Sequence, residues 1–167
     1  MHENGTVYVT TGKGWLHAVS ATGTPKWKRQ LGDESIGSPT VTPQGQVYAG
    51  SDDGKEYALG PFGQPQWTFQ TVGRIRSSVA TGIDGTPYVG CYTDQQQGAK
   101  FYAITPTGQQ AWSADVRSVM SSAAIDNLGR IYVGTAAPEK QGSVIALSSS
   151  GELLWQHETA TGVFASP

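Results

Sequence analysis

One frame of residues occurs four times along the chain: an alanine, a glycine five positions later and a tryptophan four positions after the glycine. The copies are AVSATGTPKW at 18–27, ALGPFGQPQW at 58–67, AITPTGQQAW at 103–112 and ALSSSGELLW at 146–155. The repeat length is therefore 40 to 45 residues. A period of this size is typical of stacked structural units and not of one irregular globule.

Each repeat contains short segments with strand character around this frame. A small-residue strand A leads through a turn glycine into strand B, which carries a tyrosine in register. Strand C contains the alanine of the frame, and strand D contains the tryptophan. The turn glycines are Gly45, Gly85 and Gly129, and the tyrosines are Tyr8, Tyr48, Tyr88 and Tyr132. The turns need positive φ, which glycine adopts at no steric cost.

The pattern predicts an all-β protein, a β-propeller of four four-stranded antiparallel blades. The alanine allows close packing over strand C, the glycine makes the C to D turn, and the tryptophan offers an apolar plate to the neighbouring blade. We expect a single domain over residues 1–167, with repeats of approximately 1–36, 37–75, 76–119 and 120–162 and a closing strand at 163–167.

Composition excludes several classes of function. The net charge of −2 provides no field that would attract nucleic acid, and no apolar run approaches the roughly 20 residues of a membrane span. The single cysteine, Cys91, cannot form an internal disulfide. No nucleophile, base and orienting acid can be assembled from the sequence, and no two histidines have a metal-ligand spacing. We therefore predict no catalytic residue and no metal site.

The frame S-P-x-V, G-x-V-Y-V-G, Y-A-L and G-x-x-x-W resembles the pyrroloquinoline-quinone-type propeller repeat over essentially all 167 residues. This resemblance implies one of two branches. The dehydrogenases of the family are periplasmic eight-bladed propellers that hold a quinone over Ca²⁺. Their docking motif carries an aspartate two positions after the alanine and a T-G-K, whereas this chain has VSATG, LGPFG, ITPTG and LSSSG after its alanines.

The non-enzymatic branch includes the propeller subunit of the bacterial outer-membrane barrel-assembly machine and extracellular sensor modules. We expect this chain to belong there, as a non-catalytic recognition or scaffold propeller without a cofactor that binds a protein or small ligand. The resemblance suggests a periplasmic or extracellular location. The alternatives are a fragment of a quinone-dependent dehydrogenase and a propeller module that binds a saccharide or another small ligand.

The expected binding surface is the loop-rich face, where the D to A and B to C connections emerge. Most charged residues fall on this face, as do the longest loops at 93–100 and 135–142. Long loops on a rigid scaffold are common binding sites. Trp15 takes a position that holds Lys55, Lys100 and Ser143 in the other repeats, so we expect an exposed contact residue. The candidate interaction residues are Trp15, Lys13, Arg74, Arg76 and Arg117.

The two ends of the chain leave the closure of the ring open. The sequence begins with a B strand, and its last residues, GVFASP, match the start of an A strand. We expect a homodimer in which each chain lends this segment to the first blade of the other, completing an eight-bladed ring. A four-bladed monomer and a fragment that needs further blades are the alternatives.

Overall fold

The computed structural model describes residues 2–94, 98–136 and 141–167, which form fifteen β-strands and no helix. The strands are β1 (Val7–Thr10), β2 (Trp15–Val19), β3 (Pro25–Gln30), β4 (Thr40–Val41), β5 (Val47–Gly50), β6 (Lys55–Leu59), β7 (Pro65–Gln70), β8 (Ala80–Thr81), β9 (Pro87–Gly90), β10 (Ala99–Ile104), β11 (Gln110–Val116), β12 (Ala124–Ile125), β13 (Ile131–Ala136), β14 (Gly142–Leu147) and β15 (Leu153–Thr159).

These strands form four consecutive antiparallel sheets, which we call blades 1 to 4. Blade 1 has the three strands β1–β3, and each later blade has four strands in chain order. The all-β propeller predicted from the repeat is confirmed, and blade 1 lacks the A strand that the sequence also lacks there. Gly45, Gly85 and Gly129 have φ of 83°, 82° and 75°, as their turns require.

The tyrosine, alanine and tryptophan of each repeat lie side by side across three strands. In blade 2, Ala58 pairs with Tyr48 on one side and with Trp67 on the other, and the same register occurs in all four blades. Because alanine is small, the two rings meet above it, with centroids 5.6 to 5.9 Å apart. The alanine is therefore required within its own blade.

The glycine and tryptophan of the frame meet across blade boundaries. The ring of Trp67 lies over Gly108 of the next blade, where an added Cβ would come within 2.6 Å of Trp67 Cγ. Its indole N–H donates to the carbonyl of Pro106 at 2.9 Å. Trp27 and Trp112 repeat this arrangement with Pro61 and Ser149. The glycine thus serves two purposes, because it allows the turn and leaves room for the preceding tryptophan.

Three apolar clusters lie between consecutive blades. We call the face of a blade that turns toward the following blade its rear face and the opposite face its front face. Each cluster joins the rear face of one blade to the front face of the next. For example, Leu16 and Ala18 of blade 1 meet Val47 and Leu59 of blade 2. The blades therefore bury their faces against one another, as expected for units that cannot fold alone.

Serine hydroxyls link the inner segments of consecutive blades. The amides of Ser38, Ser78 and Ser122 donate to the Oγ atoms of Ser78, Ser122 and Ser166 at 2.9, 3.1 and 2.9 Å. The last link places Ser166 where the inner strand of a following blade would begin.

The four blades of the chain do not close into a ring within the described residues. Val7 and Val9 on the front of blade 1 are 37% and 45% exposed, and Trp155 on the rear of blade 4 is 47% exposed. Val163 donates its amide to the Thr135 carbonyl at 3.0 Å, the same contact that Ile75 and Val119 make at the earlier connections between blades. The alternative of a self-closed four-bladed monomer requires the C-terminal segment to pair with β1, and no such pairing is present among the described residues.

Candidate functional site

Arg74 and Arg76 are held together on the loop-rich face in an arginine cluster with Asp52, Tyr92 and Asp94. The backbones of Arg74 and Tyr92 exchange hydrogen bonds of 2.9 and 2.7 Å. The Arg76 guanidinium binds both carboxylate oxygens of Asp52, with a shortest contact of 2.6 Å, and lies 5.3 Å from the centre of the Tyr92 ring. The hydrogen bond to Asp52 raises the pKa of Arg76.

The two arginines of this cluster differ in their freedom to bind a partner. Arg76 and Asp52 are largely shielded, with side chains 22% and 8% exposed, so their pairing is structural. Arg74 meets Asp94 at 3.5 Å, and these side chains are 45% and 66% exposed. An exposed pair of this kind contributes little to stability, so Arg74 can exchange Asp94 for another carboxylate at low cost. Tyr92 was not expected from the sequence as part of this cluster. Its backbone pairing with Arg74 holds it there.

Arg117 lies at the connection between blades 3 and 4 and is also paired. Its guanidinium contacts Glu158 at 2.7 Å, and Lys100 contacts Asp115 at 2.6 Å. The hydrogen bond from Arg117 lowers the pKa of Glu158. Among the described residues, the loop-rich face therefore carries charges of both signs, several of them paired with each other, which favours a partner surface with charges of both signs.

Trp15 is half-buried at the start of β2, directly after the turn that carries Lys13, so it is less exposed than the sequence predicted. It points, with His17, to the front of blade 1, where the Lys28 ammonium lies 4.6 Å from its ring centre. This cation–π contact and its own strand cover part of the indole. The Lys13 side chain is exposed in the adjacent turn. Neither residue has a described contact with the arginine cluster.

Parts of the two longest loops lie outside the described residues. These parts are residues 95–97 and 137–140, and they include Glu139 and Lys140, which the sequence placed on the loop-rich face. The candidate site is consequently built from Lys13, Trp15, Arg74, Arg76 and Arg117 and their described neighbours.

The buried carboxyl group of Glu56 was not among the residues expected from the sequence. This side chain is fully buried on the rear of blade 2, and neither carboxyl oxygen has a hydrogen-bond partner among the described residues. Leu16, Phe101 and Val144 take its position in the other blades. Burial raises the pKa of Glu56 well above its usual value near 4.5. The signal in the sequence was one acid in an otherwise apolar column of the repeat.

The described residues contain no group of three or more histidines, cysteines or acids arranged to hold a metal ion. Cys91 is fully buried in the apolar cluster between blades 2 and 3, where its Sγ accepts the amide of Lys100 at 3.2 Å. Within the part of the chain that the structure describes, there is no helix long and apolar enough to cross a membrane.

A match to a family model shows to which protein family this chain belongs. The model described as outer membrane protein assembly factor BamB matches residues 1–85 and 57–166, which together cover nearly the whole sequence. The chain belongs to this family. The resemblance to the pyrroloquinoline-quinone-type repeat is thereby confirmed. A comparison with curated protein sequences finds no significant match.

Solved structures of low sequence identity share the propeller fold with this family member. Hydrazine synthase of Kuenenia stuttgartiensis has 16% identity and a TM-score of 0.80, with 95% of this chain and 47% of that chain covered. Quinohemoprotein alcohol dehydrogenase from Comamonas testosteroni has 17% identity and a TM-score of 0.81, with 95% of this chain and 34% of that chain covered. BamB from Moraxella catarrhalis has 18% identity and a TM-score of 0.65, with 92% of this chain and 58% of that chain covered. The chain spans about a third to somewhat more than half of the length of these structures. At these identities the likeness establishes the fold alone.

Proposed function

We propose that this chain is a non-catalytic recognition propeller that binds a protein partner through its loop-rich face. The observation that carries the proposal is the arginine cluster, in which the shielded Arg76–Asp52 pair anchors a loop that presents the exchangeable Arg74. Membership of a family described as an outer membrane protein assembly factor supports a role in assembly and a location outside the cytoplasm. The partner has both acidic and basic side chains, matching the paired charges of this face.

Site-specific crosslinking tests this proposal. A photoreactive phenylalanine analogue at Lys13 or Arg74 should capture one specific protein in the source cell, whereas the same group at Thr107, which is exposed on the opposite face, should not. With the captured protein purified, Arg74→Glu should weaken binding several-fold at low salt and less at high salt. Equal capture from both faces would reject the loop-rich face as the binding surface.

A piece of a quinone-dependent dehydrogenase is the second candidate, because the propeller fold is shared with a quinohemoprotein alcohol dehydrogenase. The two candidates differ in one simple experiment. The purified chain is mixed with pyrroloquinoline quinone and Ca²⁺ and passed over a gel-filtration column. Co-elution of the visible quinone absorbance with the protein would contradict the non-catalytic proposal.

We also propose that two copies complete an eight-bladed ring. The rear of blade 4 and the front of blade 1 are complementary by repetition: Trp155 has no following glycine to cover, and Gly23 has no atom within 4 Å of an added Cβ. Ser166 lies in register for an inner strand, and blade 1 lacks one. The partner's blade 1 therefore supplies the surface that blade 4 needs.

Light scattering at micromolar concentration tests the dimer. The expected mass is twice the chain mass of 17.6 kDa, and deletion of residues 163–167 should return the protein to monomer or aggregate. A single species at the chain mass would reject the dimer.

A further inference from the structure

A cleft of about 80 Å³ lies between the outer strand of blade 3 and blade 4. Its apolar wall includes Ala114, Ile145 and Leu147, and its polar end is formed by Arg117, Thr135 and Ser143. The volume is about half that of an engineered apolar cavity of 150 Å³ that encloses one benzene, so the cleft takes up part of one ring, inserted from its open side.

The other blade interfaces explain why the cleft exists. Ala114 corresponds in pairing register to Phe69, and Ile145 corresponds to Tyr102. Between blades 2 and 3, these two aromatic rings pack edge to face with centroids 5.3 Å apart. Alanine and isoleucine are smaller, so the same place between blades 3 and 4 is only partly filled.

The missing tyrosine also removes a hydrogen-bond acceptor. The amide of Gly32 donates to the hydroxyl of Tyr57 at 2.9 Å, and the amide of Val72 donates to the hydroxyl of Tyr102 at 3.2 Å. The corresponding amide between blades 3 and 4 belongs to Arg117, and Ile145 offers it no hydroxyl. Both a ring and a phenolic oxygen are thus present at two interfaces and absent from the third.

We propose that this cleft binds the phenol ring of a tyrosine side chain from a protein partner. The ring lies against Ala114 and Ile145, and its oxygen accepts the amide hydrogen of Arg117, as the oxygens of Tyr57 and Tyr102 do for their amides. Because the cleft is too small to enclose more than part of one ring, the rest of the ligand remains outside, as the backbone of a partner does. The assignment to a partner rests on the proposed function.

The polar groups around the cleft suit a neutral phenol. Asp115 is paired with Lys100 at 2.6 Å and Arg117 with Glu158 at 2.7 Å, so the charges of these described rim residues balance and do not select an ion. The hydroxyls of Thr135 and Ser143 share a hydrogen bond of 2.8 Å on the same wall. Each hydroxyl oxygen has two acceptor lone pairs, so the phenolic proton has an acceptor within the site.

Nuclear magnetic resonance titration of the full chain tests the cleft without an identified partner. N-acetyl-L-tyrosinamide should shift the Arg117 amide resonance saturably, and N-acetyl-L-phenylalaninamide should bind roughly three- to tenfold more weakly because it lacks the hydroxyl. p-Cresol should bind at the same place. No saturable shift at Arg117 with any of these probes would overturn the proposal. Binding of p-cresol without the tyrosine amide would show a site for a free phenol and overturn the assignment to a protein side chain.

Variants that restore the aromatic residues of the repeat provide a second test of binding in the cleft. Ile145→Tyr supplies the internal phenol and Ala114→Phe supplies the ring of Phe69, so each should abolish the Arg117 shift while keeping a cooperative melt. Leu128→Tyr adds a tyrosine at an exposed turn that does not line the cleft, and binding should persist. Retained binding in both cleft variants would overturn the proposal. Crosslinking through Lys13 and Arg74 is a separate measurement, so failure of the cleft and failure of the loop-rich face are distinguishable.

Discussion

Replacing Glu56 by leucine should stabilise the protein, although it removes a charged residue from a protein that has few of them. The carboxyl group is fully buried between blades 2 and 3 and has no hydrogen-bond partner among the described residues. A buried polar group without a partner costs about 1–3 kcal/mol. Leucine already occupies the corresponding position of blade 1 as Leu16, which is also fully buried. Glu56→Leu should therefore gain about 1–3 kcal/mol when the glutamate is protonated.

The pH dependence gives a sharper test because its sign is fixed. Burial raises the folded-state pKa of Glu56 well above the usual 4.5, so the folded protein keeps a proton that the unfolded chain releases. Below pH 4.5 the group is protonated in both states and its titration does not change stability, and the free energy of unfolding falls as the pH rises from 4.5 toward the folded-state pKa. The slope reaches about 1.4 kcal/mol per pH unit within this window.

Urea unfolding between pH 4.5 and 8 measures the effect. Glu56→Gln keeps the shape and polarity but cannot ionise, so its free energy of unfolding should lack the decline that the parent shows. Glu56→Leu should lack the decline and also unfold at higher urea at every pH. If the curves of the parent and Glu56→Gln stay parallel over this range, the carboxyl group is solvated or paired, and the reasoning is refuted.

The remaining predictions concern residues on both sides of the same interfaces. Trp67→Ala should cost about 3–5 kcal/mol in urea unfolding, and Trp155→Ala should cost much less at concentrations where the chain is monomeric; equal losses would contradict the difference in burial. Trp15→Ala should lower stability by about 1 kcal/mol through the lost Lys28 contact, and acrylamide should quench Trp15 only partly. Arg76→Ala should cost about 1–3 kcal/mol because it leaves Asp52 shielded and unpaired, whereas Arg74→Ala should cost less than about 1 kcal/mol; thermal melts that rank them oppositely would be inconsistent with the exposures.

The fold could be predicted from the sequence because the repeat states the same local information four times. The tyrosine, alanine and tryptophan recur in one register, so each copy supports the strand assignments of the others. The position of each strand in its blade follows from the turn glycines. The structure shows that the small side chain of the alanine is needed within its own blade, because the rings of Tyr48 and Trp67 meet over Ala58.

The site could be predicted only in part because side-chain direction depends on three-dimensional neighbours. Arg74 and Arg76 lie at the connection between blades 2 and 3, and their different surroundings depend on Asp52 in the turn after β5 and on Tyr92 in the connection after β9. Trp15 was expected to be exposed because its counterparts are polar. Its strand instead directs the indole along the front of blade 1, where the aliphatic stem and ammonium of Lys28 cover it.

Each copy of the repeated alanine, glycine and tryptophan frame contributes to two blade interfaces. Its glycine receives the tryptophan of the preceding blade, and its tryptophan covers the glycine of the following blade, so four frames form three internal contacts. The glycine of the first frame, Gly23, and the tryptophan of the last, Trp155, are left without partners in a single chain. The same logic applies to the cleft, because a blade interface is complete only when both blades supply full-sized side chains. Interfaces that depart from the repeat are therefore the places where this propeller has surface available for other molecules.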